Sequence, residues 1–328
     1  MSESDAANTT EFAQQIRERY PEGLTGIIAV GGTRTTFILD QAGEDAGAIT
    51  NPEAYARHAA ELYFGIIRAF FELGGQNLIM PLLSFQSFYE RGETYNERYF
   101  GYMRWLTGDN FTRFYREMNA DPYFDGIDTL LHLPADSAAH QMGKMLADFA
   151  ASWEYRPDRR KLIWEIAPIP LFTFWKAQFT MPPADQQALA DAMSKCTDMR
   201  EMYPLLYKYY SRAAYGTEIP IPHFYLGTNR NGDLKLRAML PISMVNGGSF
   251  RLFYTPYPTL FTKPKTLRVI LEDLAFGKPL RSFKADYSGQ YTPELVESEK
   301  RRVEALRDDP YSTIGLTRTP TDENSLNE

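Results

Sequence analysis

Short apolar runs alternate with helical patterns along the whole chain. Most of these runs stop at glycine, proline or polar residues, which is typical of buried strands. The six runs cover residues 24–30, 77–83, 128–133, 161–169, 223–228 and 250–255. Strands that alternate with helices predict an α/β domain with a mostly parallel six-stranded sheet and helices on both faces.

Helical periodicity fills the intervals between the runs. The clearest helix begins at Asn51 and Pro52 and ends before Gly74, because asparagine caps, proline suits the first turn and glycine ends a helix. Its apolar stripe places Tyr55 on the buried face, where it could be an ordinary core tyrosine or a site residue. Other helical patterns cover residues 11–20, 96–118, 137–155, 184–214, 266–276 and 293–306, and residues 170–183 are predicted to be irregular.

The pattern favours one domain with polar ends. We expect residues 1–22 to be a flexible lead-in, residues 23–316 to form the domain and residues 317–328 to be a disordered tail. The acidic start MSESDAANTTEF lacks the basic and apolar regions of a signal peptide. No apolar run approaches the roughly 18 residues that a transmembrane helix needs.

Composition narrows the function classes. The 328 residues are 44% hydrophobic and 23% charged, which is ordinary for a globular protein. A net charge of −7 argues against general nucleic-acid binding. One cysteine and four histidines predict neither a disulfide nor a zinc cluster, and favour the reducing cytoplasm.

The run LTGIIAVGGTRTTF at residues 24–37 carries the main candidate chemistry. A strand that ends in Gly31 and Gly32 lets the backbone approach an anion closely, while Thr33 and Arg34 offer a hydroxyl and a cation. We therefore predict a phosphate or diphosphate site there. An ordinary tight turn with a surface arginine is the alternative.

Motifs in a fixed order then resemble a small group of bacterial diterpene synthases, including tuberculosinol synthase and kolavelool synthase, that are built on the cis-prenyl transferase (undecaprenyl diphosphate synthase) fold. The glycine turn leads to GTR, the following helix begins with NP and carries Tyr55, and the loop ERGETY ends at Tyr95. Further matches are YY at 209–210, GTNR at 227–230, YTPYP at 254–258, TLRVILEDL at 266–274 and ADYS at 285–288.

The resemblance implies a terpene synthase that ionises an allylic prenyl or bicyclic diterpenyl diphosphate. Pyrophosphate would leave, and water addition or proton loss would quench the cation. The implied catalytic residues are Arg34, Tyr55 and Tyr95, and the diphosphate-binding positions are Gly31, Gly32, Thr33, Arg34, Arg230 and Arg237. A homodimer is also implied.

The sequence departs from this group at the loop itself. The family has an aspartate linked to magnesium where this chain has Gly31, and a second arginine where this chain has Thr35. Mg²⁺ is therefore a possible cofactor without an assigned ligand. The neighbouring carboxylates that could replace the aspartate are Asp40, Glu44 and Asp45.

Two other functions stay open. The chain could transfer a prenyl group to a small acceptor or a second prenyl unit. It could also be a non-catalytic subunit that binds a prenyl diphosphate, and Gly31 favours this reading. His58, one turn after Tyr55, could be a base or a surface histidine.

Overall fold

A parallel sheet organises the chain, as seen in a computed structural model that describes residues 3–31, 33–40, 52–83, 103–228, 250–277 and 293–308. Its strands are β1 Thr25–Ile28, β2 Asn77–Leu83, β3 Ala120–Asp125, β4 Arg160–Ile166, β5 Phe224–Thr228 and β6 Arg251–Thr255. Their order is β3-β4-β2-β1-β5-β6, and every neighbouring pair is parallel. The predicted α/β fold with a six-stranded parallel sheet is confirmed.

Helices cover both faces of the sheet. They are α1 Glu3–Arg19, α2 Thr33–Asp40, α3 Pro52–Glu72, α4 Asp109–Glu117, α5 Ile127–Leu131, α6 Ala138–Ser152, α7 Pro170–Thr180, α8 Pro183–Ser194, α9 Met199–Tyr215, α10 Pro264–Phe276 and α11 Pro293–Asp308. Short 3₁₀ helices lie at Arg104–Thr107 and Thr259–Phe261. No helix in the described ranges is long and apolar enough to cross a membrane.

The two faces of the sheet bury different chemistry. On β4, Leu162, Trp164 and Ile166 belong to the larger core, which also contains residues of α3, α4, α6 and α10. Ile163 lies between them in sequence and belongs to a smaller core on the other face, where α9 contributes tyrosines. This alternation follows from the two-residue period of a strand.

The third strand was predicted in the wrong place. Residues 128–133 are not a strand, because α5 occupies Ile127–Leu131, and the third strand is Ala120–Asp125. Pro122 argues against a strand in the sequence, but β3 lies at the edge of the sheet, where proline is tolerated.

Asp121 is a second reason why the sequence does not indicate the third strand, since a buried carboxylate is unusual in a strand. Its oxygens accept hydrogen bonds from Trp153 Nε1 at 2.8 Å, the Arg156 backbone N–H at 2.7 Å and Arg159 at 3.2 Å. All three donors lie more than 30 residues away, so only the tertiary fold explains why this carboxylate can be buried.

Several helix predictions need correction. Residues 170–183 were predicted to be irregular, but α7 begins at Pro170, where the ring suits the first turn. The predicted helix 96–118 is interrupted at Gly108, and residues 96–102 lie outside the described part. The helical pattern at 184–214 comprises α8 and α9, with Lys195 to Asp198 between them.

The amino-terminal helix is longer than predicted and packs on the domain. It spans Glu3–Arg19 rather than residues 11–20, and Phe12, Ala13 and Ile16 are buried. Part of the predicted flexible lead-in therefore belongs to the core. The domain bounds 23–316 stay a prediction, and the predicted tail 317–328 lies outside the described residues.

Gly126 allows the chain to turn from β3 into α5. Its φ is +96°, and a Cβ added there would lie 1.9 Å from the carbonyl oxygen of Ile166. Gly216 has φ +72°, yet an added Cβ would meet nothing within 4 Å. Gly126 therefore combines a left-handed backbone with a steric clash, whereas Gly216 has the left-handed backbone alone.

We expect Gly126→Ala to lower the free energy of unfolding by roughly 3 kcal/mol or more, because the backbone of β4 must move. Gly216→Ala should cost about 1 kcal/mol, since it suffers only the left-handed conformation. Urea denaturation of both variants measures the difference. Equal losses would contradict the steric argument.

Candidate functional site

The candidate site lies where the direction of the sheet changes. From β1 the chain moves to β2 on one side of the sheet, and later returns to add β5 on the other side of β1. In open parallel sheets, the crevice at the carboxyl ends of such neighbouring strands is the usual ligand site. Gly31 follows β1, and Thr228 ends β5 at the same edge.

Gly31 and Thr228 lie near each other at the ends of the paired strands β1 and β5. A Cβ added at Gly31 would lie 3.3 Å from Thr228 Oγ1 and 3.6 Å from Thr228 Cβ. The Thr228 hydroxyl is itself fixed, because it lies 2.6 Å from Thr259 Oγ1 and accepts a hydrogen bond from the Thr259 backbone N–H at 2.9 Å. Any side chain at position 31 would therefore press on an ordered pair of hydroxyls.

The amino-acid sequence does not reveal that Thr228 and Thr259 are in contact. Thr228 lies in the GTNR motif, and Thr259 directly follows YTPYP. The motifs marked both segments, but their contact joins residues 31 positions apart and needs the fold to be seen.

Thr33 and Tyr55 join the starts of two helices. Thr33 is the first residue of α2, and its hydroxyl accepts a hydrogen bond from Tyr55 Oη at 2.9 Å. The Thr36 hydroxyl donates to the Thr33 carbonyl at 2.7 Å, and the Phe37 ring meets Tyr55 edge-on at 5.5 Å. The predicted site residues Gly31, Thr33 and Tyr55 therefore lie in one region.

His58 pairs with the end of α2. Its Nε2 lies 3.3 Å from Asp40 Oδ2, and its side chain is 15% exposed. The contact lacks the geometry of a hydrogen bond, so it is an electrostatic contact only. Together with the edge contact between His58 and Phe37, it ties α2 to α3.

The described residues do not fit a magnesium ion. Gly31 brings no carboxylate, and Asp40 is engaged by His58. In the described part of the chain, no three histidine, cysteine or acidic side chains converge in a way that could hold a metal. Glu44 and Asp45 lie outside the described residues, and we derive no step through a metal.

An apolar cavity of about 50 Å³ begins at Thr33 and Tyr55. Aromatic and aliphatic side chains from α3, β2, α4, β4 and the first 3₁₀ segment form the rest of its wall: Ala59, Tyr63, Leu82, Met103, Trp105, Leu106, Phe111 and Trp164. A polar end and an apolar body suit an amphiphilic ligand.

Hydrogen bonds behind the wall fix the aromatic rings. Trp164 is fully buried, and its Nε1 donates to Tyr115 Oη at 3.1 Å. Tyr115 Oη donates in turn to the Leu106 carbonyl at 2.9 Å. Burial, the largest effect, raises the pKa of Tyr115 well above its usual value, so this phenol stays neutral and keeps its donor. Tyr63 and Phe111 pack on Trp164 with ring centres 5.9 and 6.0 Å away.

Other predicted site residues cannot be placed. Arg34 lies in α2, but its side chain is outside what the structure describes. Gly32, Tyr95, Arg230 and Arg237 also lie outside the described residues. Their predicted roles stay predictions.

No protein-family model and no curated protein matches this sequence. Among solved structures, the chain is similar to lavandulyl diphosphate synthase from Lavandula x intermedia, crystallised with dimethylallyl diphosphate. The TM-score is 0.50 at 12% identity, over 79% of this chain and 97% of that one. A probable undecaprenyl diphosphate synthase from Campylobacter jejuni gives a TM-score of 0.46 at 9% identity, with the same coverage.

The similarity to lavandulyl diphosphate synthase concerns the fold alone. The chain has the fold of the cis-prenyl transferases, as the sequence resemblance implied. At such low identity the similarity does not carry an activity, and the narrower resemblance to bacterial diterpene synthases stays a prediction.

We expect Gly31→Ala to destabilise the protein by about 1 kcal/mol, because the new methyl group presses on Thr228 Oγ1. In a Thr228→Ala background the same change should be neutral or stabilising by a few tenths of a kcal/mol, since alanine also restricts the unfolded chain. A double-mutant cycle in urea measures this coupling. An equal loss of stability in the wild-type and Thr228→Ala proteins would show that the contact with Thr228 Oγ1 does not cause the destabilisation.

Proposed function

We propose that this protein ionises an allylic prenyl or bicyclic diterpenyl diphosphate and quenches the resulting carbocation with water or by proton loss. The observation that carries the proposal is the position of Thr33. This residue begins α2 at the carboxyl edge of the sheet and also forms part of the wall of the apolar cavity. A prenyl diphosphate needs a polar environment for its diphosphate group directly beside an apolar one for its hydrocarbon chain.

The anionic end of the substrate would lie at the start of α2. The first turn of a helix presents backbone N–H groups that have no acceptor within the helix, and its dipole favours negative charge. The Thr33 hydroxyl could donate to a diphosphate oxygen while it accepts from Tyr55 Oη. Arg34, by the sequence resemblance, would add a cation.

Ionisation would place a carbocation beside the aromatic wall. The C–O bond breaks, and its electron pair leaves with pyrophosphate, whose growing charge the helix start would stabilise. The rings of Tyr63, Phe111 and Trp164 in the cavity wall could stabilise the allylic cation. Water addition followed by proton loss gives an alcohol, and direct proton loss gives a diene.

The cavity must adapt to hold a prenyl chain. A volume of about 50 Å³ corresponds to about two water molecules at ~30 Å³ each. Met103 lies in the wall, and methionine side chains rearrange more easily than branched ones. The proposal therefore requires side-chain movement on binding, with Trp164 as the fixed part.

A prenyl transferase is the second candidate. The structurally similar lavandulyl diphosphate synthase is named for the synthesis of a diphosphate. By analogy, a second prenyl unit or a small acceptor could react with the cation in place of water. A non-catalytic prenyl diphosphate binding subunit is the third candidate, because Gly31 supplies no carboxylate. The homodimer and the cytoplasmic location also stay proposals.

We expect the purified protein to release pyrophosphate and an extractable terpene from at least one of farnesyl, geranylgeranyl and kolavenyl diphosphate. Mass analysis separates an alcohol or hydrocarbon from a condensed diphosphate, which would indicate the transferase. Parallel reactions with magnesium and with chelator test metal dependence. Binding without turnover in every reaction would favour the non-catalytic subunit.

Tyr55→Phe should lower kcat in the same assay by up to about tenfold, because it removes the hydrogen bond from Tyr55 Oη to the Thr33 hydroxyl. A tenfold change in rate corresponds to about 1.4 kcal/mol, within the usual range for one hydrogen bond. Tyr155→Phe is the matched control, because Tyr155 Oη donates one hydrogen bond to the Pro122 carbonyl at 3.0 Å, at the far edge of the sheet. Equal rates for the two variants would remove Tyr55 from the mechanism.

Ala59→Leu tests whether the cavity holds the hydrocarbon chain. Ala59 is buried in the wall, and the larger side chain should reduce kcat/KM for geranylgeranyl diphosphate about tenfold more than for geranyl diphosphate. Gly65→Ala on the same helix is the control, since an added Cβ there meets nothing within 4 Å. A loss that is equal for both chain lengths would place the hydrocarbon elsewhere.

A further inference from the structure

The hydroxyl groups of Thr228 and Thr259 form a pair in which the donor can be assigned by elimination. Thr259 is fully buried, and among the described residues its hydroxyl has one hydrogen-bond partner, Thr228 Oγ1 at 2.6 Å. If Thr228 were the donor, the hydroxyl hydrogen of Thr259 would be buried without an acceptor, which is unfavourable. The favoured arrangement therefore has Thr259 as the donor and Thr228 Oγ1 as the acceptor.

Thr228 Oγ1 then accepts two hydrogen bonds, because the backbone N–H of Thr259 also donates to it at 2.9 Å. Its own hydrogen has no acceptor in the part of the chain that the structure describes, and Thr228 is only half-buried. This hydrogen is therefore left for a group outside the protein. A hydroxyl that accepts hydrogen bonds is polarised by them and becomes a stronger donor.

Gly31 leaves a space beside this hydroxyl. A Cβ added at Gly31 would lie 3.3 Å from Thr228 Oγ1 and 3.6 Å from Thr228 Cβ, and within 4 Å it would meet no other described residue. Gly31 is itself half-buried. The Thr228 hydroxyl therefore borders a space at the carboxyl ends of β1 and β5 that no described side chain fills.

Thr33 repeats this arrangement on the neighbouring helix. Its hydroxyl accepts from Tyr55 Oη at 2.9 Å and has no further hydrogen-bond partner among the residues described. The 3₁₀ helix Thr259–Phe261 contacts both α2 and β5, so the two threonine hydroxyls belong to the same edge of the sheet. Both are held as acceptors by donors of the protein, and both keep a hydrogen for a ligand.

We propose that Thr228 donates a hydrogen bond to an anionic oxygen of the diphosphate, with Thr259 as the positioning residue that directs the Thr228 hydrogen outward. The inference rests on the diphosphate site of the proposed function and not on turnover. Anionic oxygens are the preferred acceptors, because hydrogen bonds to a charged group are about twice as strong as neutral ones. An ammonium ion has no acceptor and would leave the hydroxyl hydrogens unpaired.

Isothermal titration calorimetry of the full chain with sodium pyrophosphate tests the proposal. Thr228→Val keeps the shape and removes the hydroxyl, so the affinity should fall about tenfold or more. Thr228→Ser keeps the hydroxyl and should stay within about threefold of the wild type. Thr255→Val is the matched control with unchanged affinity, because the Thr255 hydroxyl already donates to the Tyr257 carbonyl at 2.7 Å. Equal affinities for Thr228→Val and the wild type would overturn the proposal.

The salt dependence of binding separates a lost hydroxyl from a displaced cation. The Thr228 hydroxyl carries no charge, so the ratio of the wild-type and Thr228→Val affinities should be the same at low and at high potassium chloride concentration. A ratio that shrinks as salt is added would show that the valine has displaced a positive charge, and would overturn the proposal.

Thr259→Val tests the positioning residue and decides the proposal if Thr228→Val does not fold. This variant keeps the Thr228 hydroxyl and the backbone N–H of residue 259, so we expect a smaller loss of pyrophosphate affinity, about threefold. Unchanged affinity in Thr259→Val would overturn the assignment of the donor.

The outcomes also separate this inference from the proposed function. If the protein turns over a prenyl diphosphate and Thr228→Val binds pyrophosphate like the wild type, the inference fails and the proposed function stands. If pyrophosphate binding depends on Thr228 but no prenyl diphosphate is turned over, the inference stands and the proposed function fails. No pyrophosphate binding by the wild type would overturn the inference.

Discussion

The close approach of β1 and β5 at their carboxyl ends constrains the rest of the candidate site. Parallel neighbours bring both loops to one edge, and the space between them is small enough that a Cβ added at Gly31 would lie 3.3 Å from Thr228 Oγ1. Thr228 in turn orders Thr259 and the segment after β6. Thr33 follows Gly31 by two residues, so the same approach limits where α2 begins and where Tyr55 can reach Thr33. A larger residue at position 31 would disturb the whole arrangement.

Strand β4 divides the chemistry of the molecule between the two faces. Trp164 forms part of the wall of the apolar cavity, whereas Glu165, the next residue, lies beside Asp125 on the opposite face. Hydrogen bonds fix both side chains, through Tyr115 for the indole and Tyr215 for the carboxyl group. The buried pair Asp125 and Glu165 lies on the face of the smaller core, close to Tyr210 and Tyr215 of α9, which burial keeps neutral. An apolar face suits a carbocation, since water that enters would quench it early.

The local apolar pattern was sufficient to predict a strand where the buried residues of that strand are apolar. It was insufficient where a polar residue can be buried only because residues far away in the sequence bind it. The runs at β1, β2, β4, β5 and β6 are apolar and were placed correctly. Strand β3 was missed because Pro122 and Asp121 are acceptable only at a sheet edge with donors more than 30 residues away. The position of Tyr55 at the start of α3 suggested a place near the glycine turn, but the partner Thr228 and the cavity wall depend on packing between segments. Glu165 did carry a signal, since a charge inside the apolar run KLIWEI is unusual.

The glycine at position 31 bears on how the proposed site would handle charge. A carboxylate beside a diphosphate adds like charge, and a divalent cation is the common way to bridge the two. With Gly31 that extra negative charge is absent from the loop. Less positive charge is then needed to hold the leaving group, and neutral donors at the start of α2 together with Arg34 would meet more of the demand. On the proposed function, the absence of an acidic side chain at position 31 and the closeness of Thr228 have one cause, because a glycine adds no charge and leaves room for the hydroxyl pair beside the anion.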